Sequence, residues 1–193
     1  MKLVITYIFI SVLFGLTCLT NSVSSQTFYG TTDLQTFREG RDKELRDKEE
    51  SPLKVVDVEK YKGLNYFPTN NKLRVKAKFE KTKDEKILLI PTSAGKVKRY
   101  IKYGILEFKI DKKKYTLNVY HTDKETREKY PEYKDLLFIP FKDLTNGKGS
   151  YGGGRYLYIL DTNKKKVILD FNLASNPSCA YGSDRYSCPI PPR

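Results

Sequence analysis

Between residues 143 and 161 the chain reads DLTNGKGSYGGGRYLYILD, which sets a carboxylate, Asp143, and a guanidinium, Arg155, at the two ends of a glycine-rich loop. Asp170 and Asn172 follow shortly after, and Tyr151 sits inside the loop. Asp143 or Asp170 could serve as acid or base while Arg155 holds an anionic group, the parts of a hydrolase or isomerase site. Asp143, Tyr151, Arg155, Asp170 and Asn172 are therefore the candidate binding residues, with Tyr151 as a lid, and no catalytic role is assigned outright. An arginine between two carboxylates is also a complete ion network in its own right, so a purely structural corner stands beside the functional one.

Several other chemistries fail on context. GKGSYG fits G-x-G-x-x-G, but a dinucleotide loop must open a helix so that its amides meet the pyrophosphate, and RYLYIL is β-like. Lys148 is followed by Gly149 rather than Ser or Thr, which removes a Walker loop. The kinase H-R-D and D-F-G are missing, and no G-x-S-x-G marks a nucleophilic serine. The loop reads as a hairpin connection that needs glycine for its backbone freedom. His121 is the one histidine, read as a surface residue at a strand end. Zinc normally wants four ligands, so neither a metal nor a cofactor is expected.

Residues 1–25 carry Lys2, an apolar run from Leu3 to Leu19, and small polar residues ending Val23, Ser24, Ser25. This is the pattern of a secretory signal peptide with cleavage before Gln26. The rivals are an uncleaved membrane anchor and lipidation at Cys18, the latter weakened by Thr17 where a smaller residue is wanted. Cleavage leaves residues 26–193 as a single exported domain, periplasmic or extracellular, with no membrane span. Two cysteines remain, Cys179 and Cys188, in CAYGSDRYSC. An oxidising compartment and a bendable GSD loop point to a disulfide, with a metal site as the rival.

The 193 residues are 39% hydrophobic, enough for one ordinary core, with a net charge of +13. Such a charge suits an acidic partner. Lysine far outnumbers arginine, however, which is a compositional habit of AT-rich genomes and poor material for base reading. KVKRYIKY interleaves lysine with tyrosine as a single-strand binder would, and equally as the wet face of a strand does. An exported protein seldom meets nucleic acid, so the partners expected are a small ligand, a glycan or a protein.

TTDLQTFREGRDKELRDKEESP reads as a helix, with Thr32 and Gln35 as a capping box, Leu34, Phe37 and Leu45 on one face, and Ser51-Pro52 as its stop. The period then changes to two. Leu73, Val75, Ala77 and Phe79 alternate with charged residues, and a hairpin follows in which Leu106, Phe108 and Ile110 alternate before the turn DKKK and Tyr115, Leu117 and Val119 alternate after it. Further strands are expected at residues 87–91, 97–101, 136–141, 155–160 and 167–171. The fold expected is mainly β, an antiparallel sandwich or partly closed barrel with one N-terminal helix. If the strands at 136–141 and 155–160 pair, Asp143 and Arg155 become neighbours. If residues 167–171 then return along the second strand, Asp170 and Asn172 join the same end of the sheet.

FIPFKDLTNGKGSYGGGRYL followed by DFNLASNPSCAYGSDRYSCPIPP resembles the domain-of-unknown-function 1684 family of bacterial and archaeal proteins. The elements that carry the resemblance are Phe138, Pro140, Phe141, Asp143 and Thr145, then Tyr151, Gly154, Arg155 and Tyr156. Asp170, Phe171, Asn172, Asn176, Pro177, Cys179 and Cys188 complete them, and GLNYFPTNNKLRV extends the likeness upstream. Ser175 and Ser178 stand where the family pattern has tyrosines. The resemblance implies one more strand after the double proline, so a domain lacking its last strand is expected. It implies no activity.

Overall fold

A computed structural model describes residues 29–192 except Glu50, Asp84, Glu85 and the side chain of Glu132. The signal-peptide reading of residues 1–25, the new terminus at Gln26 and the alternative at Cys18 lie outside the described residues. The helix α1 runs Leu34–Arg46, shorter at both ends than the sequence pattern suggested. Its N-cap is Asp33, whose carboxylate accepts from the Thr36 amide at 2.7 Å, in place of the expected Thr32. The early stop also has a local cause. Asp47 accepts from the Glu49 amide at 2.8 Å, a turn that competes with the next helical bond. Ser51 then turns back to donate to the Leu45 carbonyl. Phe37 and Leu45 are buried as expected, each contributing about 2 kcal/mol.

After the short helix α2 (Val55–Val58) the chain builds one antiparallel sheet from β1 (Arg74–Lys81), β2 (Ile87–Pro91), β3 (Val97–Ile110), β4 (Lys113–Thr122), β5 (Leu136–Phe141), β6 (Arg155–Leu160) and β7 (Lys166–Asp170). The helix α3 (Lys124–Lys129) lies between β4 and β5. The strand order is β6-β5-β4-β3-β1-β7, with β2 on the far part of β3, and the sheet curls into a half-barrel. Of the two architectures expected, this is the partly closed barrel. The hairpin at DKKK forms with Ile110 opposite Lys113 and a two-residue turn, Asp111 and Lys112 both at positive φ.

Two expected strands, 97–101 and 106–110, are one. A bulge between Lys102 and Gly104 carries β3 through the gap while shifting its register on β4. Gly104 is required there, because a Cβ would meet the Phe79 ring at 2.6 Å and the Glu80 carbonyl at 2.7 Å. Gly104→Ala is expected to lower stability by about 1–3 kcal/mol in a urea titration, since backbone rather than a flexible side-chain tip must yield.

All six residues of β5 are buried. Leu137, Ile139 and Phe141 enter the main core with Phe79, Leu106, Val119, Leu157 and Leu169, while Phe138 enters a second core with Ile90, Tyr100, Tyr120, Tyr156 and Cys188. A continuous apolar run is what a strand covered on both faces requires. The second cover is the C-terminal segment, tied to β2 through the Thr92–Pro189 bridge and to the turn after α1 through the Leu53–Gly182 bridge.

Candidate functional site

The β5–β6 hairpin places Phe141 opposite Arg155, so Asp143 leaves one strand where Arg155 enters the other. Arg155 directs both Nε and Nη2 at Oδ2 of Asp143, at 2.9 and 2.6 Å. The second oxygen, Oδ1, accepts from the amide of Thr145 at 2.7 Å and from its hydroxyl. Both carboxylate oxygens are thus engaged inside the loop. The Arg155 guanidinium lies between the rings of Phe141 and Phe67, 5.3 and 5.8 Å from their centroids. Burial alone would raise the Asp143 carboxyl, but Thr145 and Arg155 outweigh it and hold it below the usual carboxylate range.

The glycine loop is organised by the same aspartate. Asn146 accepts from the Asp143 amide at 2.8 Å and donates to Ser150, whose hydroxyl also meets that of Thr145 at 2.7 Å. Gly154 at φ +118° has no alternative, since a Cβ there would meet Pro191 at 2.5 Å and the Phe141 carbonyl at 2.8 Å.

Asp170 and Asn172 do not join this pair. Asp170 accepts from the Asn172 amide and side chain at 2.9 and 2.7 Å and faces Arg74 at 3.4 Å. Asn172 exchanges two hydrogen bonds with the backbone of Asn70. The reason is topological: β7 pairs with β1, with Asp170 opposite Arg74, instead of returning along β6. The segment after β7 crosses from one sheet margin to the other, where Ser175 pairs with Tyr156. Phe171 meets Phe141 on the way, at 5.4 Å between ring centroids. Asp170 is therefore beside the Asp143 end of the barrel but held by different partners.

Tyr151 lines a separate cleft of about 260 Å³ with Ser93, Lys142, Gly153, Tyr156, Cys188 and Ile190 among its walls. Its amide is anchored by the Asn176 side chain at 3.0 Å. The neighbouring disulfide, Cys179–Cys188, is formed. Ser93 donates to Cys179 Sγ at 3.2 Å, which ties the turn after β2 to the same staple.

His121 is not a surface residue. It is 8% exposed, its Nε2 donates to the Lys134 carbonyl at 2.8 Å, and its ring sits against Tyr103. Burial pushes its pKa down, and its contacts are to Lys134 and Tyr103 rather than to the Asp143 corner. No group of three or more His, Cys, Asp or Glu able to hold a metal occurs among the described residues.

Sequence reasoning passed over two buried ions, Asp123, which caps α3 and meets Arg99 at 2.8 Å, and Arg41. Arg41 is 1% exposed on the apolar face of α1, between Phe37 and Leu45. The signal was the spacing itself, because a cation four residues from each of two apolar positions faces the core.

The family model described as "Protein of unknown function (DUF1684)" matches residues 59–193. The solution NMR structure of an uncharacterized protein from Haloarcula marismortui is similar at 33% identity, covering 82% of this chain and 84% of that one, with a TM-score of 0.62. No curated protein matches.

Proposed function

We propose that this chain, which belongs to the domain-of-unknown-function 1684 family, is an exported binding module that takes a small ligand in the cleft between the glycine loop and the stapled C-terminal segment. The observation that carries this reading is the separation of two roles. Asp143 and Arg155 consume each other and set the loop, whereas Tyr151 and Lys142 border a cleft with no hydrogen bond from the Tyr151 hydroxyl or the Lys142 ammonium among the described residues. The volume suits a single sugar ring or a dipeptide. The signal pattern at residues 1–25 and the Cys179–Cys188 staple support a periplasmic or extracellular location. A hydrolase or isomerase using Asp143 or Asp170 gains no support from the geometry, because the fork of Arg155 is spent on Asp143 and the Asp143 carboxyl is held low.

The test is a titration of the ¹⁵N-labelled protein with monosaccharides and dipeptides. Amide shifts confined to Ser93, Tyr151, Gly153 and Ile190, weakened at least about tenfold in Tyr151→Ala, are expected. Arg155→Lys should lower the melting temperature and keep those shifts. Binding lost in Arg155→Lys with the melting temperature kept would move the site to the Asp143 corner.

A further inference from the structure

Arg41 is buried to 99% by position yet only partly bonded. Its Nη1 donates to the Tyr29 hydroxyl at 2.5 Å and to Glu44 Oε2 at 2.6 Å, while Nε and Nη2 have no hydrogen-bond partner. Those two nitrogens form the side-on fork of a guanidinium, the same pair of atoms that Arg155 presents to Asp143. A buried fork without an acceptor is costly, since unpaired donors in a core lose their water and gain nothing. Two more orphaned donors lie alongside. Arg38 Nε and the Tyr66 hydroxyl are also buried without a partner, and the Arg38 guanidinium lies 4.5 Å over the Tyr66 ring.

These groups act on one another. Burial first, then the nearby Asp42, push the Tyr66 hydroxyl up to about 12, while Arg41 and Arg38 pull it down. Burial opposes the charge on Arg41, but Tyr29, Glu44 and Tyr181 outweigh it and keep the guanidinium protonated. Tyr181 is close enough for that effect, and its ring lies 5.8 Å from the Arg41 Cζ, yet it leaves both fork nitrogens unsatisfied. Asp42 does not answer the fork either, being held by the Tyr61 hydroxyl at 2.5 Å.

We propose that the fork of Arg41, with Tyr66 and Arg38, is a binding site for a small monocarboxylate, separate from the cleft beside the glycine loop. The orphaned guanidinium nitrogens can only donate and the Tyr66 hydroxyl can donate beside them, so the missing group must be an acceptor, and two parallel N–H groups match two carboxylate oxygens. A single negative charge fits better than two. Arg41 already stands against Glu44 at 2.6 Å, so a second negative charge on the ligand would be desolvated with little added attraction. Residues 61–70, which carry no helix or strand, rest on α1 through side chains, Tyr61 on Asp42 and Arg38 on the Phe67 carbonyl, and so cover the site. Tyr181 lies within two residues of Cys179, so the staple holds one wall of the site.

The experiment follows the Arg41 Nε–H signal of the disulfide-intact, ¹⁵N-labelled protein while sodium acetate, sodium phosphate or sodium chloride is added at constant ionic strength. A saturable shift with acetate alone is expected, weakened about tenfold in Tyr66→Phe, which removes one donor and keeps the charge. Arg41→Lys, read from the Tyr66 and Tyr181 backbone amides because the Nε–H reporter is gone, should abolish saturation, and Tyr66→Phe decides the matter if that variant does not fold. Saturation by phosphate and not acetate would overturn the carboxylate assignment. An acetate shift unchanged in Tyr66→Phe would overturn the shared site. No saturable shift with any salt would mean that trapped water satisfies the fork, and the proposal would fall.

Discussion

Asp143→Ala is expected to lower the unfolding free energy by about 2–4 kcal/mol at neutral pH. The upper end of the buried-pair range is not reached, because Arg155 and Asp143 keep 12% and 25% side-chain exposure. What is lost is more than attraction. Arg155 remains charged between Phe67 and Phe141 with no acceptor, and Thr145 loses the carboxylate that takes its amide and hydroxyl. The effect should also carry a pH signature. The folded carboxyl is held below its ordinary value, so its contribution is complete above the unfolded aspartate pKa of about 3.9 and disappears as pH falls through the folded value. Urea titrations of wild type and Asp143→Asn should therefore converge as the pH is lowered from about 4. A gap between them that stays constant into strong acid would contradict the ion-pair account.

The double change Cys179→Ser, Cys188→Ser is expected to cost about 2.5–3 kcal/mol, the chain-entropy value for a sequence separation of 9. The ring does more than close on itself. Within it, Arg185 donates to the carbonyls of Glu49 and Ser51 at 2.6 Å each, and Gly182 pairs with Leu53, so the ring clamps the turn that follows α1. Outside it, Ile190 donates to the Pro91 carbonyl at 2.8 Å and Tyr156 to that of Pro189, fixing the segment over the second core. Differential scanning calorimetry of the wild type with and without reductant checks this. Reduced wild type should melt with the double variant, and an unchanged melting temperature after full reduction would refute the stabilising role.

The strands were readable where the pattern was local. β5 and β6 fall where LLFIPF and RYLYIL are bounded by polar turns, and their pairing brings Asp143 to Arg155 through hairpin geometry alone. What lay beyond the sequence was which margin of the sheet a strand joins. β7 follows β6 after a short turn, and neighbouring strands often pair, yet the curl of the sheet brings it to β1. That one long-range choice moved Asp170 and Asn172 to Arg74 and Asn70. The break expected between residues 101 and 106 was hidden by a bulge that Gly104 permits, because a bulge resets the alternation without ending the strand. Arg41 was passed over because a charged residue among Leu34, Phe37 and Leu45 interrupts an apolar face only on paper. In the fold its guanidinium lies as deep as its neighbours, bonded to Tyr29 and Glu44.

The most direct test of an exported, stapled binding module is the intact mass of the protein recovered from outside the cytoplasm, taken with thiol labelling under denaturing, non-reducing conditions. The account predicts a chain beginning at Gln26 with Cys179 and Cys188 both unreactive to the label. A mass that retains residues 1–25 or carries lipid on Cys18, or two freely labelled thiols, would contradict it.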